Sequence, residues 1–188
     1  MDDTPSGIVG VSVGPAIHTG RSHVVDGVSG ATRSDTVNNW KEYALNTALF
    51  ADMGIPTSRF GMSGTLGLRF LGDMNMVNRI ASFAVIGRYR FRFRLSGARL
   101  SSIEPWIGVG VGFHKVPEIS TDVFVQLPLL AGCDFGMSTQ WIITTEIQLN
   151  AMNPIGPTRY IEAGDSPEIH KLRYDSYIIR MGIAYRFY

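Results

Sequence analysis

The sequence predicts an all-β fold, an eight-stranded antiparallel up-and-down barrel, and three observations predict it. First, GRYRFRFRL (residues 87–95) sets Arg88, Arg90, Arg92 and Arg94 in strict alternation with Tyr89, Phe91, Phe93 and Leu95. Period two places the two sets on opposite faces of a strand, whereas a helix would scatter both. Second, strand signals recur along the chain between 21 glycines and 9 prolines, and helix signals do not. Third, each alternating segment runs for about ten residues or more, against five or six for an ordinary strand.

The eight segments are residues 7–19, 40–52, 59–71, 80–95, 106–114, 122–135, 141–152 and 172–187. In the first, Val9, Val11, Val13 and Ile17 oppose Gly10, Ser12, Gly14, Ala16 and His18. In the second, Tyr43, Leu45, Thr47, Leu49 and Met53 oppose Glu42, Ala44, Asn46, Ala48 and Asp52. The third sets Phe60, Met62, Leu66, Leu68 and Phe70 against Arg59, Gly61, Ser63, Thr65, Gly67 and Arg69. The fourth is the arginine strand. In the fifth, Ile107, Val109, Val111 and Phe113 oppose Gly108, Gly110, Gly112 and His114. The sixth opposes Val123, Val125, Leu127, Leu129 and Phe135 to Gln126, Gly132 and Asp134. The seventh opposes Trp141, Ile143, Ile147 and Leu149 to Thr144, Glu146, Gln148 and Asn150. The eighth opposes Tyr177, Ile179, Met181, Ile183, Tyr185 and Phe187 to Arg180, Gly182, Ala184 and Arg186.

Such strands close either with the apolar face inward, as a soluble ligand-binding barrel, or outward against lipid. The glycines decide. Gly, Ala and Ser dominate the polar face of three segments, where a water-facing surface would favour Thr, Lys, Glu or Gln. An eight-stranded lumen is just wide enough for side chains to fill, so small residues there make room for long arginines. Each arginine turned to lipid at mid-membrane would cost about 2–4 kcal/mol. The expected lumenal network is therefore Arg59, Arg69, Arg88, Arg90, Arg92, Arg94, Arg180 and Arg186 with Glu42, Asp52, Asp134 and Glu146. Arginines outnumber these acids, so some must pair with amides, carbonyls or water.

Composition agrees. At 188 residues, one domain spanning 1–188 is the default. A net charge of +1 leaves no field for nucleic acid. Charged residues are 18%, below the roughly 25% of ordinary globular chains. Of 17 basic residues, only Lys41, Lys115 and Lys171 are lysine, so little of the surface is ordinary soluble surface. The lone Cys133 excludes an intrachain disulfide. No apolar run nears the roughly 18 residues of a membrane helix. The polar MDDTPSG start is no signal peptide, and export implies that one has been removed.

Long connections follow segments one and seven, and short ones (MGIPTS and GMSTQ) follow segments two and six. Long outside loops and short periplasmic turns then place both termini in the periplasm of a bacterial outer membrane. LSGARLSSIEP is long for a turn. Phe60, Phe93, Phe135, Trp141, Tyr185 and Phe187 fall at one level, and Tyr43, Phe70, Phe113 and Tyr177 near the other, as two aromatic girdles.

The terminal MGIAYRFY is similar to the last strand of bacterial outer-membrane proteins, with Tyr188 following the expected terminal Phe187. EPWIGVGVGF resembles the Pro-aromatic-x-Gly-x-Gly-x-Gly strand of small OmpA-like barrels. The resemblance implies insertion by the outer-membrane assembly machinery and a lipid bilayer with lipopolysaccharide as surroundings. It names no activity. The expected role is a scaffold presenting outer loops for adhesion, host interaction or envelope integrity. A channel for small solutes or hydrophobic molecules is the alternative. Pro128, inside VFVQLPLLAG, marks either a local bulge or a candidate lateral seam, since proline cannot donate to a ladder. A lipid A-modifying enzyme comes third. His18, His23, His114 and His170 lie near the outer side and Ser22, Ser34, Asp26 and Asp35 in the first loop, but no deacylase-like His-x-Ser pair occurs. No metal and no cofactor is expected, because no ligand spacing fixes one beside His18 and His114. Gly108, Gly110 and Gly112 precede no helix and make no phosphate loop.

Overall fold

The structure, a computed structural model, describes residues 6–26, 38–57, 64–76, 81–95, 100–115, 123–154, 160–163 and 166–187. Ten strands follow in chain order: β1 (Ser6–Asp26), β2 (Asn38–Pro56), β3 (Thr65–Asn75), β4 (Ala81–Arg90), β5 (Phe93–Arg94), β6 (Ser102–Lys115), β7 (Val123–Gly136), β8 (Trp141–Pro154), β9 (Tyr160–Ala163) and β10 (Ser166–Phe187). Strand neighbours run β1–β2–β3–β4–β6–β7–β8–β10, and β10 pairs back onto β1, so the sheet closes on itself. Every pairing is antiparallel. The wall has eight strands, because β5 continues β4 along β6 and β9 flanks only the upper part of β10.

The barrel is inside-out by the standards of a soluble protein. Leu49 is 67% exposed, Val109 63% and Met181 62%, while Arg69 and Arg180 on the opposite parity are 0% and 1% exposed. Exposed large apolar residues occur on all eight walls. Soluble monomers rarely expose contiguous apolar patches above a few hundred Å², so this outer surface is stable only against hydrocarbon. Closure satisfies every wall edge, which lipid requires of a spanning sheet.

Two connections differ from the sequence reading. Among the described residues the third segment enters the wall at Thr65, after Gly64, whose carbonyl accepts from Thr57 N–H at 2.9 Å. Arg59 and Phe60 lie outside the described residues. The stretch LSGARLSSIEP already enters β6 at Ser102, and Phe93 pairs with Ile103 and Arg94 with Ser102. The Leu95 amide donates to the Ser101 carbonyl at 3.2 Å.

Two prolines interrupt the wall. Between β6 and β7, Val109 pairs with Leu129 and Gly112 with Gln126, and the two pairs between them are missing. The offset is the same on both sides, so nothing is inserted: Pro128 breaks the ladder without the bulge that the sequence suggested. It pairs with Asn150 of β8 on its other side. Pro15 does the same between β1 and β10, where pairing skips from Val13–Met181 to Ala16–Ile178.

The inward glycines serve close approach. A Cβ on Gly112 would stand 2.3 Å from the Phe83 carbonyl, and one on Gly132 would meet the Trp106 ring at 2.6 Å. Neighbouring backbone and aromatic rings, more than arginines, occupy the space that these glycines free. A contrast tests this. Gly14→Ala, whose Cβ would fall 1.9 Å from the Ile179 carbonyl, is expected to destabilise the barrel by about 1–3 kcal/mol. Gly72→Ala has nothing within 4 Å and should be neutral or stabilising by up to about 1 kcal/mol. Equal unfolding midpoints for the two variants in detergent would contradict this account.

Candidate functional site

Alternation within each strand aims the charges inward, and the register then selects partners. Asp52 lies directly across from Arg69, and Glu146 across from Arg180. Arg69 donates to Asp52 through Nε at 2.7 Å and Nη2 at 3.1 Å, and to Glu146 through Nη1 at 2.5 Å. Glu146 also accepts from Arg180 Nε at 2.7 Å. Arg88 joins Asp52 and, at 2.5 Å, Asp134. Arg90 donates to Asp52 at 3.2 Å and lies 3.3 Å from Asp134. Asp52 thus holds three guanidinium groups, and strands β2, β3, β4, β7, β8 and β10 are tied across the lumen. Charges removed from water cost several kcal/mol each unless they are paired and hydrogen-bonded, and here each carboxylate has several donors.

Aromatic rings complete the centre. The Arg69 guanidinium lies 4.2 Å from the Phe50 ring and 4.5 Å from the Trp106 ring, and the Arg88 guanidinium lies 4.0 Å from the Trp106 ring. Buried cation–π contacts of this kind are favourable. Trp106 Nε1 donates to Asp134 at 3.1 Å, and Thr144 Oγ1 donates to the same oxygen at 2.7 Å. Apolar Ile8, Leu71, Ile86, Leu130 and Ile142 fill the remaining interior.

Glu104 is the functional side chain that the sequence reading missed. It is fully buried, accepts from Arg186 at 2.7 and 2.8 Å and from Ser102 at 2.9 Å, and lies 3.2 Å from Arg92 Nε. Its apparent place in a loop hid it, although its even parity with Trp106 and Gly108 was visible. Asp73 was also missed, and it lies 3.7 Å from Arg180. With Glu104 and Asp73 added, the inward Arg69, Arg88, Arg90, Arg92, Arg180 and Arg186 face Asp52, Asp73, Glu104, Asp134 and Glu146. The charge excess expected from the sequence nearly vanishes.

Arg94 is a correction. It is exposed at the rim beyond the end of β4, outside the buried lumenal network. Arg92 is intermediate, with a side chain 27% exposed, and Glu42 is half-buried near the other end. Outside the wall, Tyr43, Phe93, Phe113, Trp141, Tyr177 and Phe187 are exposed, and Phe135 and Tyr185 are half-buried. Tyr185 packs edge-on against Trp141 with ring centres 5.4 Å apart. Phe70 lies mid-strand opposite Val85 rather than at a rim, and Phe83, paired with Phe113, occupies the level expected for it.

Beyond the charged centre the lumen turns neutral. Asn150 donates to Ser176 at 2.9 Å, Gln148 to Asn150 at 2.8 Å, and Asn46 to Asp73 at 3.3 Å. His18 and His114 are buried inside, with His18 Nε2 3.2 Å from Asn75, away from the lipid boundary where acyl transfer would occur. Ser34 and Asp35 lie outside the described residues. Among the described residues no three metal-ligating side chains converge.

A closed eight-stranded wall with charge inside and an apolar band outside has one environment to suit it. The fold is that of a small outer-membrane β-barrel. No protein-family model matches the chain, and no curated protein does. Solved structures are similar to it along nearly their whole length. Neisserial surface protein A is 10% identical, with 94% of this chain and 97% of that one covered, at a TM-score of 0.44. OprG from Pseudomonas aeruginosa is 12% identical, covering 99% and 97%, at 0.48. Ail of Yersinia pestis, solved with the heparin analogue sucrose octasulfate, is 15% identical, covering 96% and 99%, at 0.35.

Proposed function

We propose that the protein is a bacterial outer-membrane scaffold whose barrel is plugged by its own side chains and whose work is done by the segments that it holds outside the membrane. Adhesion, host interaction and envelope integrity are the roles that such a scaffold serves. Both termini face the periplasm in this reading, with the short connections, and the assembly machinery engages β10. The observation that carries it is the bridge Asp52–Arg69–Glu146–Arg180, which crosses the lumen with every member at most 6% exposed. An open channel would leave its lining charges hydrated. Planar-bilayer recording tests the reading: the purified protein is expected to give no steady conductance. Ohmic steps of uniform size would sink it.

A second reading, passage of hydrophobic molecules through the wall, is favoured by the two ladder pairs missing beside Pro128. Vesicle uptake of an apolar fluorophore separates the two. Faster uptake with the wild type than with Pro128→Ala would support the seam, and equal uptake would leave the scaffold alone.

A further inference from the structure

The inner wall is bare at one place. Asp52 pairs with Arg69 and Pro56 with Thr65, and between these rungs two glycines of inward parity, Gly54 and Gly67, stand opposite each other. One strand further on, Gly67 pairs with Arg88 and Thr65 with Arg90. The two backbones are close here: a Cβ on Gly54 would fall 2.5 Å from Thr65 Cγ2, and one on Gly67 would fall 2.4 Å from the Met53 carbonyl. Beside the glycine pair lies a cavity of about 10 Å³, lined by Asp52, Gly54, Thr65, Gly67, Arg88 and Arg90. That is room for one water or one monatomic ion, and too little for phosphate or a carboxylate ligand.

Charge decides between the two. Arg180 lies beside two of the inward carboxylates, 2.7 Å from Glu146 and 3.7 Å from Asp73. The cavity lies among the others. There Arg69, Arg88, Arg90, Arg92 and Arg186 share Asp52, Glu104 and Asp134, and Arg69 also reaches Glu146. Positive charge is in excess on this side of the lumen. Asp52, the carboxylate on the cavity, is fully engaged. Its Oδ1 accepts from Arg69 Nε, and its Oδ2 accepts from Arg69, Arg88 and Arg90. Arg88 Nε is buried with no hydrogen-bond partner. An excess buried charge is strongly unfavourable unless a counter-charge reaches it, and a neutral water supplies none.

We propose that this cavity holds a halide ion, chloride in the cell, as the counter-ion that completes the lumenal network. Arg88 and Arg90, alternate residues of β4, flank it and supply charge-assisted donors. Size selects a monatomic anion over the larger anions of the envelope. The inference does not depend on which end of the barrel faces outward.

The test is urea unfolding of the full chain in phosphatidylcholine vesicles, in chloride, bromide or gluconate at equal ionic strength, so that screening is the same. Gluconate is too large for the cavity. A ligand bound at one site of the folded state alone raises the folding equilibrium constant in proportion to its concentration once the site fills. A tenfold rise in chloride or bromide should then raise that constant about tenfold, and gluconate should not change it. In crystals grown with bromide, the anomalous signal should place an ion between Gly54 and Arg88. Gly54→Asp sets a tethered carboxylate in the cavity, so its stability should no longer follow chloride. Equal wild-type stability in chloride and gluconate would overturn the proposal, as would a chloride response in Gly54→Asp as large as that of the wild type. A bromide peak without any chloride response would mean an adventitious ion only. Should Gly54→Asp fail to assemble, the wild-type titration and the bromide position decide together, and a chloride response with no ion in this cavity would refute the site.

Discussion

Asp52→Ala is expected to lower the stability of the folded barrel by about 3–5 kcal/mol, the usual consequence of removing one partner from a buried charged pair. The residue holds Arg69, Arg88 and Arg90 together. Without it, Arg69 keeps Glu146, and Arg88 and Arg90 keep Asp134, but three guanidinium groups lose a shared counter-charge where water has little access. Urea titration in lipid vesicles, followed by tryptophan fluorescence, measures the loss. Arg92→Ala is the control: its side chain is 27% exposed and lies 3.2 Å from Glu104 at the edge of the network. Its removal should cost well under the Asp52 change. Equal losses would mean that the network contributes through packing rather than charge.

Val109→Arg acts on the other face and should fail differently. Val109 is 63% exposed at the middle of β6, so an arginine there meets hydrocarbon near mid-membrane at about 2–4 kcal/mol. The expected result is poor assembly into membranes, seen as loss of the heat-modifiable folded band on gels. Phe91→Arg, beyond the last residue of β4, should be milder, since the penalty falls to about 0–1 kcal/mol near the interface. If Val109→Arg assembles as well as the wild type, the outer face is not a lipid face.

Parity was readable wherever one face was uniform. GRYRFRFRL puts Arg88 and Arg90 on one face, and the small residues on the polar faces of other segments turn that face inward. Parity fails where both faces are apolar. Leu71 follows Phe70 and Leu130 follows Leu129, so the inward apolar layer of Ile8, Phe50, Leu71, Leu130 and Ile142 was hidden among ordinary lipid-facing residues. Trp106 was hidden for the same reason, and with it the cation–π stack at the centre. Glu104 was lost to a boundary error: turn-like Gly and Ser residues before it suggested a loop, whereas Phe93 and Arg94 extend the ladder along β6 to Ser102. Pairing partners were not readable at all. Which carboxylate meets which arginine depends on register and on strand stagger around the barrel, and those are set by all eight strands at once.

The pairing of β1 with β10 joins residue 7 to residue 187, and it has a consequence for biogenesis. The first wall strand has no partner on one side until β10 has been made. Contacts between such distant segments form slowly, because the loop that joins them must close first. Until then the chain presents two long unpaired edges, each a template for pairing with another molecule. β10 is thus the strand that seals the cylinder. A chain shortened before β10 would be an open sheet with every lumenal arginine still in place and no interior to put them in.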